Sequence, residues 1–296
     1  MRKFLLAILM MVTFSAANSQ QLHFMSQYMQ HNSMYNPAAA GMSTNDKIGF
    51  SYRNMWTSFP GHPKTTMIYG DFDLKKLNAG LATYLYRDET GPTSRTGVQV
   101  AYSYHIKPIN NKSKFGIGLE LRGLQYKIDQ SKLNFVAEEP VTGGTKFVVD
   151  AGAGLYWTNY KLSVGAAVSQ LIQSKLKFAD VPGVQQEGKL YRHYNFTANY
   201  KLQTGEDIYI IPNAMFRMIE NSPSEFDFGV KTEYQDKVWW AINFRVHQFW
   251  SVQAGLRLSN KLSACYSYDY YVAPIGVFVG GSGAHEIGIQ FDLKKK

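Results

Sequence analysis

Cysteine is almost missing: Cys265 is the only one in 296 residues. A single thiol can build neither an internal disulfide nor a zinc cluster of thiolates. It also lies far from the amino end, which removes lipid attachment through an amino-terminal cysteine, and in its extended surroundings it reads as a small filler residue. Long apolar runs are missing too. The stretch Phe4 to Phe14 is far shorter than the ~20 residues of a spanning helix, and no later stretch comes near that length. Charge is not gathered into blocks. The 31 Lys and Arg outnumber the 22 Asp and Glu, a balance suited to an acidic partner or lipopolysaccharide. The cations are scattered, however, and leave no nucleic-acid footprint. Catalytic arrangements are equally scarce. A membrane hydrolase needs a nucleophile, a base and an orienting group; His193 with Asn195 is the nearest pair, and no Gly-x-Ser-x-Gly turn accompanies it. His23, His31, His62, His105, His247 and His285 show no metal-ligand spacing. The expectation is no enzyme, no metal and no cofactor.

What is present begins with Met1-Arg2-Lys3, the apolar run, and Ser15-Ala16-Ala17-Asn18-Ser19-Gln20. That order is a secretory signal peptide with small residues, Ala17 and Ser19, before a cleavage ahead of Gln20. The chain therefore divides into a signal peptide (1–19), a polar leader (20–46) and a remainder (47–296). In an exported chain without spanning helices, that remainder is either a secreted soluble domain or a barrel.

The remainder alternates apolar and polar residues with period two, the strand signature. From Gly97 to His105, Val98, Val100, Tyr102 and Tyr104 share one face, and Gln99, Ala101 and Ser103 share the other. Fourteen such runs occur: 47–56, 65–73, 79–87, 96–106, 114–126, 146–157, 160–171, 190–202, 207–219, 224–234, 237–247, 250–258, 261–271 and 284–293. Most have the ~9–11 residues of a tilted strand crossing hydrocarbon, longer than the ~5–6 usual in globular sheets. The links roughly alternate between tight turns (158–159, 203–206, 235–236, 259–260) and longer segments (127–145, 172–189, 272–283), as periplasmic turns and extracellular loops do. Aromatics make up 15% of the chain, with 20 Tyr. They gather at strand ends (Tyr52, Trp56, Trp157, Tyr160, Trp239, Trp240, Phe249, Trp250, Tyr268 to Tyr271), as interfacial girdles would. The fold expected is all-β: a transmembrane antiparallel barrel of about fourteen strands in outer-membrane lipid, with a short periplasmic amino-terminal leader or plug.

The polar face carries both charge signs. Arg53, Glu120, Arg122, Asp150, His193, Asp227, Lys231, Arg245, Arg257 and Asp269 are expected to line the lumen. Mixed signs favour cross-strand pairing in a filled interior over a solute path. The leader is rich in Met and Tyr, side chains that make adaptable contact surfaces. Phe24, Ser26, Gln27, Tyr28, Met29, Tyr35, Asn36 and Pro37 are its candidate partner-binding residues, whether it plugs the barrel or docks a protein.

That leader carries a resemblance. Phe24-x-Ser26-Gln27-Tyr28-Met29, followed by Tyr35-Asn36-Pro37-Ala38-x-Ala40-Gly41, resembles the mature amino end of the PorP/SprF-type outer-membrane proteins of type IX secretion and gliding. Tyr52-Arg53-x-x-Trp56, Gly91-Pro92 and His285-Glu286-Ile287 extend it, with Asn54-Met55 departing from the family's usual element. The closing Glu286 to Leu293 resembles a last-strand assembly signal, although Lys294 to Lys296 replace the usual terminal aromatic. The resemblance implies a non-enzymatic barrel working with type IX secretion components. Such a barrel either supports export or surface attachment of a cargo, such as a large adhesin with a C-terminal sorting domain, or links the translocon to a periplasmic OmpA-like peptidoglycan-binding protein. A passive channel or hydrophobic-solute transporter of the same fold is the alternative.

Overall fold

In the computed structural model, the chain is described at residues 24–43, 45–106, 113–133, 144–177 and 187–295. The expected signal peptide and the first leader residues lie outside them. From Asn45 the period-two pattern becomes fourteen barrel strands, all antiparallel to their neighbours. In chain order these are β1 (Asn45–Met55), β2 (Lys64–Leu74), β3 (Ala79–Thr90), β4 (Thr93–Ile106), β5 (Ser113–Ile128), β6 (Gly144–Asn159) and β7 (Leu162–Ser169). They continue as β8 (His193–Tyr200), β9 (Ile208–Ile219), β10 (Ser222–Tyr234), β11 (Val238–Arg245), β12 (Phe249–Arg257), β13 (Leu262–Tyr271) and β14 (Ala284–Lys295). The last strand pairs back onto the first, from Asn45 opposite Lys295 to Met55 opposite Ala284. Closure removes the sheet's edges, so main-chain donors and acceptors at hydrocarbon depth are satisfied within the sheet itself. Leu202–Gln203 prolongs β8 beyond Lys201. A separate two-stranded sheet, Lys175–Lys177 with Glu187–Lys189, lies in the β7–β8 connection, and its Leu176 joins the buried apolar cluster that includes the leader's Phe24 and Tyr35.

Each of the fourteen expected runs falls on one of these strands. The ends shift: β1 stops at Met55 because Trp56 turns into the left-handed region (φ +55°), and the run expected over 160–171 shortens to β7. Side-chain direction follows the pleat. In β4, Val98, Val100, Tyr102 and Tyr104 are 45–50% exposed, whereas Gln99, Ala101, Ser103 and His105 are buried. An apolar exterior over a polar interior is a liability in water, and it is the stable arrangement in lipid.

The aromatic girdles are thinner than expected. Trp240, Trp250 and Tyr270 face outward, but Phe249 and Tyr271 are buried inside the barrel, and Trp239 turns its ring to Lys231 within the lumen, 4.7 Å from ring centroid to Nζ. Adjacent residues of a strand point to opposite faces, so only one of each neighbouring pair can reach lipid.

The connections sort into two ends. Among the described residues, one end carries short links such as 160–161, 235–237 and 258–261, and this end also holds the start of β1 and the close of β14. The opposite, loop end carries the longest links, such as 272–283, together with tight turns at 91–92, 220–221 and 246–248. Its last loop, with the short helix α2 (Ile275–Phe278), folds inward and sets Val279 among Met55, Trp56, Phe249 and Tyr271. The Trp56 and Tyr271 rings meet edge-on, 5.6 Å apart.

Candidate functional site

The lumen is occupied by the chain's own leader. Residues 24–43 fold as a turn (Tyr28–His31), one turn of helix α1 (Asn32–Tyr35) and a second tight turn (Pro37–Ala39). None of these is long enough to be stable alone; what holds them is the barrel wall.

The wall grips the leader at three places. The first joins its start to β1, β13 and β14. Arg53 donates to Asp269 at 2.5 Å and to Glu286 at 3.2 Å. One guanidinium thus faces two buried carboxylates, and the leader supplies the missing donors. The Ser26 main-chain N–H donates to Glu286 at 2.7 Å, the Gln27 N–H at 3.4 Å, and the Ser26 hydroxyl donates to Asp269 at 2.5 Å. Charge-assisted bonds of this kind are the strong ones, so the pattern Phe24-x-Ser26-Gln27 completes a buried charge cluster. Just before it, the Phe24 ring lies between two guanidinium groups, 3.4 Å from Arg245 and 4.5 Å from Arg217. Each of those arginines is itself paired, Arg245 with Asp227 at 3.2 Å and Arg217 with Glu225.

The second place is at mid-height. Tyr28 donates from its hydroxyl to Asn213 at 2.5 Å, and Asn243 donates to the same Asn213 oxygen at 2.9 Å. Tyr35 accepts the Met25 N–H on its own hydroxyl at 2.9 Å, tying the two legs of the leader together, and its carbonyl accepts from Asn195 at 3.1 Å. Burial pushes the Tyr35 hydroxyl up to about 12 and raises that of Tyr28 as well, so both stay protonated. On β4 and β5, Gln99 bridges Glu120 at 2.5 Å and the Met34 carbonyl at 3.2 Å, while Arg122 pairs with Glu120 at 3.1 Å.

The third place explains the run Tyr35-Asn36-Pro37-Ala38-x-Ala40-Gly41. Asn36 caps the following turn by accepting the Ala38 N–H at 3.0 Å, with Pro37 pre-set at its first position. Its amide also donates to the Leu155 carbonyl of β6 at 3.0 Å. Here the wall is lined with glycine. A Cβ on Gly118 would lie 2.2 Å from the Ala38 nitrogen, one on Gly154 2.1 Å from the Asn36 side chain, and one on Gly80 1.9 Å from the Ala40 carbonyl oxygen. Only hydrogen fits at those wall positions, and Gly41 takes the left-handed conformation (φ +67°) that a side chain resists. Asp71 closes the seat, accepting from the Gly41 N–H at 2.6 Å and the Ser33 hydroxyl at 3.0 Å.

The sequence-derived residues thus separate. Of the eight leader candidates, Phe24, Ser26, Gln27, Tyr28, Tyr35, Asn36 and Pro37 are buried and Met29 is half-buried; their contacts here are with the barrel. The ten lumen candidates all lie on the interior side. Arg53 meets Asp269, Glu120 meets Arg122, and Asp227 meets Arg245. Lys231 and Arg257 face a vestibule at the turn end. Asp150 accepts the Ile172 N–H at 2.9 Å, so its task is to pin the chain after β7. His193 is fully buried, and neither ring nitrogen has a hydrogen-bond partner among the described residues. What sequence reasoning missed is the seat itself: Gln99, Asn213, Asn243 and the inward glycines. Glycine recurring at inward positions of β5 and β6 was its one readable sign.

A closed barrel with an apolar exterior and its own amino-terminal segment lodged in the lumen is a plugged outer-membrane protein. The chain belongs to the family of type IX secretion system membrane proteins, PorP/SprF, whose model matches residues 17–291. No curated protein sequence matches it. Among solved structures it is similar to the CymD monoaromatic hydrocarbon channel (9% identity, 89% of this chain and 92% of that one, TM-score 0.53). It is also similar to the outer membrane protein Omp33 of Acinetobacter baumannii (9% identity, 86% and 100%, TM-score 0.45) and to the KdgM porin (10% identity, 84% and 99%, TM-score 0.41). At such identities the likeness concerns the fold alone.

Proposed function

We propose that this barrel serves type IX secretion as a plugged, partner-binding scaffold and is neither an enzyme nor an open conduit. It binds protein partners to support export or surface attachment of a secreted substrate, such as a large adhesin contacting it through its C-terminal domain. A link from the translocon to a periplasmic OmpA-like peptidoglycan-binding protein is the other form this role takes. The observation that carries the reading is the leader in the lumen. A pore that stands open for passive flux is not served by a segment that satisfies buried carboxylates on β2, β13 and β14 and passes closely over wall glycines. With the barrel's longest links at one end and the start of β1 and the close of β14 at the other, the first end faces outward and the second faces the periplasm.

Affinity capture of the tagged barrel from detergent-solubilised membranes tests this. Recovery of type IX components or of one large surface protein is the expected result. Recovery of the barrel alone, together with normal export after leader deletion, would overturn it. Steady solute-sized conductance of the intact protein in planar bilayers would favour a passive channel instead.

A further inference from the structure

Pairing of β14 with β1 closes the wall, yet one stretch of strand edge stays open at the loop end. β6 pairs with β5 along its whole length, from Gly144 to Asn159, and with β7 only from Ala153 to Thr158. Two bonds show which way the remaining main-chain groups point. The Leu171 N–H donates to the Ala151 carbonyl at 2.9 Å, and the Ser174 hydroxyl donates to the Val149 carbonyl at 2.7 Å. Residues of an antiparallel ladder alternate in the side to which their N–H and C=O turn, so Thr145 and Phe147 likewise turn theirs away from β5. No described residue takes them, since the nearby strand Lys175–Lys177 pairs only with Glu187–Lys189. Thr145, Lys146 and Phe147 are all exposed, Phe147 to 67%. An extended edge with unmet donors and acceptors is a template for a further strand.

We infer that the open β6 edge accepts an extended segment of a secreted polypeptide as an added strand, with Thr145 and Phe147 supplying the main-chain bonds. Side chains set which segment fits. Val148 packs toward the buried apolar cluster, so Phe147 and Val149 point out of the barrel, and both are exposed. The added strand therefore carries apolar residues at every second position, beside them. Lys146 lies on the inward side of the pleat, exposed and without an ion pair to any described residue, which favours an acidic residue opposite it. A lipid headgroup has no main-chain groups to offer at the two-residue spacing of a strand. That the segment belongs to a secreted protein rests on the partner-binding reading above; that it is a strand rests on the edge alone.

The test uses the purified full chain in detergent and a labelled eight-residue peptide, with valine at every second position and threonine and glutamate alternating between. Fluorescence anisotropy gives its affinity, and hydrogen exchange read by mass spectrometry should show residues 144–149 gaining protection when it is added. The same peptide methylated on every main-chain nitrogen should not bind. Phe147→Pro removes one outward N–H and leaves the bonds to β5 in place, a position where strands tolerate proline. It should weaken binding about fivefold, the scale of one hydrogen bond, whereas Phe147→Leu keeps the N–H and should bind as the parent does. Thr145→Pro, at the very start of the strand, should act like Phe147→Pro and keeps the test open should that variant fail to fold. Lys146→Glu should weaken binding about threefold, the scale of a cross-strand charge pair. Equal binding of the methylated peptide, indifference to both prolines, or protection confined to other parts of the barrel would overturn the proposal. Protection that rises with protein concentration in the absence of peptide would mark a second copy of this chain as the occupant and overturn it too. If Phe147→Pro loses the peptide while the captured surface protein is still exported and attached as with the parent, the edge has no part in partner binding and the scaffold reading survives. If the parent captures no partner while the peptide adds to the edge, that reading fails and the strand-accepting edge stands.

Discussion

Single atoms decide whether the leader can sit where it does. At Gly118 a Cβ would collide with main-chain atoms of Ala38, which cannot swing aside as a side-chain tip can. Gly118→Val should therefore cost roughly 1–3 kcal/mol, as overpacked interiors do, or displace the leader altogether; faster proteolysis within residues 24–43 of the detergent-solubilised barrel would reveal it. Ser26 acts through charge. Its hydroxyl and N–H offset the surplus of two carboxylates over one guanidinium at Arg53, Asp269 and Glu286. Ser26→Ala keeps the N–H and loses the hydroxyl, so about 1–3 kcal/mol should go, read as a lower heat-modifiability temperature on electrophoresis. Arg53→Met should cost more, because it leaves both acids buried and unpaired; removing one partner of a buried pair costs roughly 3–5 kcal/mol.

Among the elements, the leader and the wall depend on each other unequally. The strands are joined by continuous main-chain pairing in which the leader takes no part, whereas the leader's three short turns have no stability of their own. Deletion of residues 24–43 should leave a barrel with unchanged β-type circular dichroism that conducts in planar bilayers where the parent is silent. A deleted protein as silent as the parent would show that the loop-end cluster around Trp56 and Tyr271 closes the lumen by itself. The strands were legible in the sequence because each carries its own evidence, a period of two sustained over a membrane-crossing length, as in β4. The seat was not. That Asn36 would reach the Leu155 carbonyl, or that Gly80 would face Ala40, depends on strands far apart in sequence that meet only across the lumen. Composition marked the leader as adhesive and left two partners open, the barrel or another protein; in this structure it lies against the barrel wall.

For the molecule as a whole, the mixed charges of the interior are arranged largely as cross-strand and same-strand ion pairs. Arg53, Arg122, Arg217 and Arg245 each meet a carboxylate on their own or a nearby strand. This much was readable from the balance of signs on the inward face. What local patterns could not show was that a third participant, the leader, completes those pairs. One consequence of the main chain running unbroken from the leader into β1 concerns rates. A stopper that is withdrawn stays leashed to the rim at Asn45, so its return is a unimolecular step at the millimolar effective concentration a short tether confers. Any vacated state would then reseal on its own unless something else takes hold of the freed segment, and the lifetime of an opened barrel would measure how firmly that second holder grips.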